Sequence, residues 1–193
     1  MTGEQTGSGG ARSSSRAELA RLRRRCQAKL DSLGLDLPVP FTAEAFCQGL
    51  GVCLGRLIML CPVDTRTGPC GLWVATASTH YFFYERATSS LHKEQIVGHE
   101  AGHAVFEHAP ADVLDGDELA GLLDLDVQLI RQMLGRATYS RQEEREAEVF
   151  GTFVLERAVH APPPARPWAR PEDAAVLERV RSALGSPADI PDG

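Results

Sequence analysis

Two histidines and a glutamate stand close together in the segment His99-Glu100-Ala101-Gly102-His103. On an α-helix, residues four apart leave the same face, about 40° apart around the axis. His99 and His103 could therefore each place a ring nitrogen on one zinc ion. Glu100 is turned about 100° from His99, so it is better placed to take a proton from water and pass it to a leaving amine. The segment predicts a zinc site in which Glu100 is the catalytic base.

The surrounding residues predict that the helix carrying this segment is buried. Between Ile96 and Phe106, every residue other than His99, Glu100 and His103 is apolar or glycine. A helix that apolar normally lies in a core. Two imidazoles and a carboxylate are costly to bury without partners, and a metal ion would supply them. The alternative interpretation is a core helix whose histidines hydrogen-bond to backbone carbonyls.

A catalytic zinc ion takes a third protein ligand and keeps one position open. The candidates lie in a Glu-rich run at residues 141–151, most of which has the composition of a solvated helix face. Glu144 and Glu148 share one side of that helix, so either carboxylate could reach the metal. Their positions alone do not separate the two.

Small residues indicate how the two helices could approach each other. Gly98 and Gly102 are four apart on the predicted metal helix, and Ala147 and Gly151 are four apart on the Glu-rich helix. Faces without large side chains let two backbones pack closely. We therefore expect these two faces to meet and to bring one carboxylate to the histidines.

The motif His-Glu-Ala-Gly-His, paired with the downstream Glu-x-x-Ala-Glu-x-Phe, resembles the gluzincin-type metallo-endopeptidases of the ImmA/IrrE family over about residues 54–159. In that family the first Glu of the second motif is the third ligand, which implies Glu144 here. Glu148 then occupies a position where a contact with one of the ligand residues, rather than with the metal itself, is expected. The chain departs from the family pattern at Gly151, where alanine is usual, and in the run Phe153-Val154-Leu155-Glu156.

The resemblance implies a cytoplasmic zinc-dependent endopeptidase that hydrolyses a peptide bond in a protein or peptide substrate. By family analogy the substrate could be a helix-turn-helix transcriptional repressor. The alternative is a non-catalytic metal-binding regulatory module that binds a transcription factor. A purely structural zinc module is disfavoured because three protein ligands leave the fourth position open. Manganese or iron could replace zinc on this ligand set.

Composition excludes several other classes of protein. The net charge is −6, with 26 acidic against 20 basic residues, which argues against direct binding of nucleic acid. No apolar run is long enough to span a bilayer, so no membrane association is expected. Five cysteines without a Cys-x-x-Cys pair fit neither a disulfide scaffold nor a thiolate zinc site. These features favour reduced thiols and a cytoplasmic location.

The elements that must position the site predict an α+β fold. We expect a small, mostly antiparallel sheet of about three strands packed on helices, with the HExxH helix and a Glu-bearing helix forming the metal site. Helices are predicted from composition, caps and apolar spacing at 16–33, from Thr42 to near Gly49 or Gly51, at 91–108, from the end of the acidic stretch 112–118 to Leu134, and at 141–159 and 170–184. Strands are predicted at 54–61, 70–77 and 80–85.

The same patterns predict three parts of the chain. Residues 1–15 read as a disordered tail, 16–160 as a metallopeptidase-like domain with an N-terminal helix, and 161–193 as a proline-rich joint and a C-terminal helix. Ser140 with Glu143 has the form of a capping box that opens the Glu-rich helix. Tyr139 and His108 are weaker candidates for stabilising an oxyanion, and an edge strand could hold an extended substrate.

Overall fold

The structure is a computed structural model, and it describes residues 8–64, 71–110 and 139–160. The predicted helix that follows the acidic stretch 112–118 and ends at Leu134, the predicted helix at 170–184 and the proline-rich joint lie outside the described residues. Contacts divide the chain into two compact units, residues 1–161 and 162–193, and every element described below belongs to the first.

The described part contains helices and strands in an α+β arrangement, as the sequence predicts. The helices are α1 (Ser8–Leu33), α2 (Ala43–Leu54), α3 (Ser90–Val105) and α4 (Arg141–Val159). The strands are β1 (Leu57–Val63), β2 (Gly71–Ala75) and β3 (Thr79–Glu85). Within these residues no helix is both long and apolar enough to cross a membrane.

The three strands form one sheet in the order β1-β3-β2. β2 and β3 are an antiparallel hairpin, whose turn is closed by the Thr76 N–H donating to the Thr79 carbonyl at 2.8 Å. β1 runs parallel to β3, from Leu57 beside Thr79 to Val63 beside Glu85. The sheet is therefore mixed, which corrects the expectation of a mostly antiparallel one. β3 takes the centre because its first five residues are all buried, whereas β1 alternates and keeps exposed positions.

The helices pack on this sheet around one apolar core. α3 contacts both β2 and β3 and also contacts α4, while α1 packs on α4 and α2 packs on β1 and α3. The core contains fully buried side chains from each layer: Phe46 and Leu50 of α2, Phe82 of β3, Val97 of α3 and Phe150 of α4. α3, the helix that carries His99 and His103, therefore lies between the sheet and α4.

The start of α1 and the end of α2 differ from the prediction. α1 begins at Ser8 rather than at the predicted Arg16, because an existing helix extends by one hydrogen bond per added residue at little cost. α2 begins after its predicted cap Thr42 but continues through Gly49 and Gly51 to Leu54. The residue that ends it is Gly55, whose φ of 65° is the left-handed conformation that glycine adopts without strain.

Four cysteines lie in the described residues, and all are free thiols: Cys26, Cys47, Cys53 and Cys61. Burial raises the pKa of Cys26 and of Cys61 to about 11, and that of Cys47 to about 12. These three thiols therefore behave as small apolar side chains rather than as nucleophiles or metal ligands.

Candidate metal centre

The centre is built on a close contact between α3 and α4, as their small residues predict. A methyl group added to Gly102 would lie 2.8 Å from the Cα of Ala147, and one added to Gly98 would lie 3.0 Å from the Cα of Gly151. Both neighbours are backbone atoms, which cannot rotate away. The contact therefore fixes how far α4 stands from α3 and how it is rotated.

This packing brings His99, His103 and Glu144 together, with one ligand atom from each lying within 4.8 Å of the others. The two Nε2 atoms are 3.1 Å apart, His99 Nε2 is 3.5 Å from Glu144 Oε2, and His103 Nε2 is 3.9 Å from Glu144 Oε1. Ligand atoms of a tetrahedral zinc ion stand about 3.3 Å apart, given bonds of about 2.0–2.1 Å. The three residues could hold one metal ion. Glu148, the other candidate, lies outside this group.

The two histidines are in the neutral state that metal binding requires. Burial and, to a smaller extent, the neighbouring His99 and His108 lower the pKa of His103 to about 3. Burial also lowers the pKa of His99, although the charges of Glu144 and Glu148 oppose that shift. Within the described residues, neither ring is hydrogen-bonded to a backbone carbonyl, which the alternative of a satisfied core helix would need. Neutral imidazoles whose nitrogens converge suit a cation.

Glu100 lies beside this group and is only 5% exposed. The first residue of β2, Gly71, covers it so closely that a methyl group there would overlap Glu100 Oε1. Burial and, to a smaller extent, the charge of Glu144 raise the pKa of Glu100 to about 8. A cation held by the neighbouring ligands would favour the ionised carboxylate. The close approach of Gly71 to Glu100 was not predicted, because it joins two segments that are distant in the sequence.

Tyr139 lies just before α4 and stacks on the His103 ring, with ring centroids 3.7 Å apart and planes at 22°. Its hydroxyl is buried and has no hydrogen-bond partner in the described structure. Burial raises its pKa above the usual range, and the charges of Glu100 and Glu144 raise it further. The phenol therefore keeps its proton as an unused donor near both carboxylates. Such an unpaired donor suits a site that receives an oxygen ligand.

His108 contacts the Nδ1 atom of His103. α3 ends at Val105, three residues earlier than predicted, and Glu107 adopts a left-handed φ of 61°. The N–H of Glu107 donates to the Ala104 carbonyl at 3.2 Å and that of His108 to the His103 carbonyl at 3.0 Å, which is a Schellman ending. This turn places His108 Nδ1 2.9 Å from His103 Nδ1. Because it meets the nitrogen that does not face His99 and Glu144, His108 does not suit an oxyanion role.

No protein-family model, no curated protein and no solved structure matches this chain. The resemblance to the ImmA/IrrE family therefore rests on the two motifs.

Proposed function

We propose that this chain is a zinc-dependent endopeptidase of the ImmA/IrrE type that hydrolyses a peptide bond in a protein partner. The observation that carries the proposal is the buried Glu100 carboxylate beside a His99, His103 and Glu144 group of suitable spacing. Three protein ligands leave a position for water or substrate, as catalytic zinc sites do. A structural zinc site would close that position with a fourth ligand.

Each residue has a distinct role in the proposed reaction. His99, His103 and Glu144 would hold zinc, which supplies a Lewis acid that polarises the scissile carbonyl and acidifies water. Glu100 takes a proton from the attacking water and returns it to the leaving amine. The hydroxyl of Tyr139, which has no partner in the described residues, donates to the oxygen on which negative charge develops.

The sheet offers a place for an extended substrate. In the described residues β2 pairs with β3 alone, and its first residue, Gly71, lies against Glu100. A peptide that adds to the free edge of β2 through backbone hydrogen bonds would run past the catalytic base. The substrate class is thus an extended segment of a protein. A helix-turn-helix repressor and a cytoplasmic setting follow from the family resemblance alone.

The proposal is tested first at Glu100. We expect the parent to bind about one zinc ion per chain, and Glu100→Gln to keep it, because Glu100 is not a ligand in this arrangement. Cleavage of a peptide library, followed by mass spectrometry, should fall at least about 100-fold in the variant because the base is lost. Glu94→Gln on the same helix is the matched control. Equal cleavage by Glu100→Gln and the parent would refute the mechanism; zinc binding without cleavage by the parent would favour the non-catalytic regulatory module.

The third ligand is tested on α4. Glu144→Ala should weaken zinc binding by more than about 100-fold, beyond the loss expected for a residue that only contacts a ligand. Glu148→Ala removes the same group one turn later, outside the group of His99, His103 and Glu144, and should bind zinc like the parent. Zinc affinity is measured by competition with a chromophoric chelator. If only Glu148→Ala loses the metal, the assignment of Glu144 is wrong.

A further inference from the structure

A second line of hydrogen bonds begins at the nitrogen of His103 that faces away from the ligand group. His103 Nδ1 lies 2.9 Å from His108 Nδ1, and His108 Nε2 lies 3.2 Å from Glu146 Oε2. All three side chains are buried, with exposures of 0%, 8% and 5%. Polar groups buried at this depth are costly unless every member has a partner, so the order of protons along the line is constrained.

Glu146 anchors the far end of this line. Its Oε1 accepts from Gln142 Nε2 at 3.0 Å and from an Arg25 guanidinium nitrogen of α1, while its Oε2 faces His108. The guanidinium of Arg25 is always charged, so the Glu146 side chain faces it as a carboxylate that accepts hydrogen bonds.

An acceptor at one end orders the hydrogen bonds of both imidazoles. Because Glu146 accepts, His108 donates to it from Nε2, and the two facing Nδ1 atoms, 2.9 Å apart, need one proton between them. Each ring then carries a single proton when His103 donates from Nδ1 and His108 accepts. In that arrangement His103 Nε2 keeps its lone pair, and that atom faces His99 Nε2 and Glu144.

We infer that His108 and Glu146 are positioning residues that hold His103 in its Nδ1–H tautomer, with the Nε2 lone pair directed at the metal. The inference rests on the proposed metal site. α4 thus contacts His103 from both sides, with Glu144 near Nε2 and Glu146 reaching Nδ1 through His108. Partners behind a ligating histidine commonly set its tautomer and ring orientation in this way.

The end of α3 shows how the local sequence brings His108 to His103. In a Schellman ending, the residue two beyond the cap commonly makes an apolar contact with a residue of the last turn. Here those two residues are His108 and His103, and the contact is a hydrogen bond between rings. The required left-handed residue is Glu107 rather than glycine, and it tolerates a conformation that costs roughly 1–2 kcal/mol for residues with a Cβ.

The tautomer is read directly by ¹⁵N NMR of the metal-free, full-length protein, since protonated and unprotonated imidazole nitrogens have well-separated shifts. We expect His103 to be protonated at Nδ1 and His108 at Nε2. A His103 protonated at Nε2 in the parent overturns the inference. This measurement needs no variant, so it does not depend on whether a substituted chain folds.

Zinc affinity measures how much the tautomer of His103 contributes to metal binding. His108→Phe keeps an aromatic ring but removes both hydrogen bonds, and it should weaken zinc binding about 10- to 100-fold, the usual range for partners behind a ligand. Glu146→Gln should weaken binding within the same range. Glu156→Gln is the matched control, since the Glu156 carboxylate also pairs with an arginine of α1, Arg23, but lies outside the line of hydrogen bonds to His103. Its backbone carbonyl contacts His160, and the substitution leaves that carbonyl in place. Equal zinc affinity of His108→Phe and Glu156→Gln overturns the inference.

These outcomes are separate from those of the proposed function. Neither the NMR spectrum nor zinc affinity involves hydrolysis. A chain that binds zinc in the expected tautomer but cleaves no peptide keeps the positioning role and loses the peptidase. A chain that cleaves peptides with His103 in the other tautomer keeps the peptidase and loses the positioning role.

Discussion

Helix α4 packs against two neighbours in contrasting ways. Against α3 it presents Ala147 and Gly151, and the two backbones touch at Gly102 and Gly98. Against α1 it presents long polar side chains, which form the pairs Arg145–Glu18, Glu156–Arg23, Arg157–Gln27 and Glu146–Arg25. One contact is made by backbone atoms and the other mainly by side chains with several rotatable bonds.

The difference shows where this fold needs accuracy. A metal ion tolerates only a few tenths of an ångström in its ligand positions, and two of the three candidate ligands lie on α3 while the third lies on α4. Where small residues meet through backbone atoms, no side-chain rotamer can change, so the spacing between the two helices stays fixed. The α1 side positions no ligand directly, so adaptable ion pairs are sufficient there. The Arg25–Glu146 pair is the exception, because the Glu146 side chain is buried and also contacts His108.

The largest predicted effect comes from a substitution that breaks the α3–α4 contact. Gly102→Ala puts a methyl group 2.8 Å from the Cα of Ala147, so the helices must separate. We expect the free energy of unfolding to fall by about 3 kcal/mol, the upper end for overpacking, even though alanine is the better helix former. Urea unfolding of the metal-free chain measures it. Gly49→Ala in α2 is the control.

Gly49 is also helical, but an added methyl group would meet only the end of the Leu35 side chain, at 3.3 Å. Leucine can shift where backbone cannot, so Gly49→Ala should change stability by less than about 1 kcal/mol. Equal losses in the two variants would mean that the α3–α4 contact is no tighter than an ordinary helix environment.

Local signals in the sequence were sufficient to predict α4 and the faces that meet. The capping box of Ser140 and Glu143 marks the start of α4, and the structure begins the helix at Arg141 with both of its hydrogen bonds present. The two small-residue faces also follow from spacing of four. Glu144 and Glu148 could not be separated, because they lie about 40° apart on the same side of a helix. The Gly102–Ala147 and Gly98–Gly151 contacts set which turn of α4 lies beside the histidines.

Other features depend on contacts that no local pattern encodes. A helix continued to His108, as predicted, would turn that side chain about 140° away from His103. The left-handed Glu107 returns it, and glutamate gives no sign of that conformation in a sequence. The parallel pairing of β1 with β3 is also decided by burial across the whole sheet.

The second-largest predicted effect is that of zinc binding on the two contacts of α4. Zinc would bind across α3 and α4 and touch nothing on α1, so it should stabilise the first contact selectively. At a free concentration 100 times the dissociation constant, the free energy of unfolding should rise by about 2.7 kcal/mol, and a chelator should reverse it. Hydrogen exchange with and without zinc should show added protection around His103 and Glu144. Protection that rises equally along α1 would show that the metal orders the whole domain instead.

The smallest predicted effect concerns the α1–α4 side. Arg23 and Glu156 are 38% and 45% exposed, and a double-mutant cycle should give a coupling of about 0.5 kcal/mol or less, weakened by salt. Arg25 is as exposed as Arg23, at 43%, but its partner Glu146 is only 6% exposed. Hydrogen bonds to charged groups that are shielded from water contribute roughly 1.5–3 kcal/mol, so this coupling should be larger. Equal couplings would mean that the burial of Glu146 adds nothing to the pair, and that Arg25 does not help to hold the carboxylate against His108.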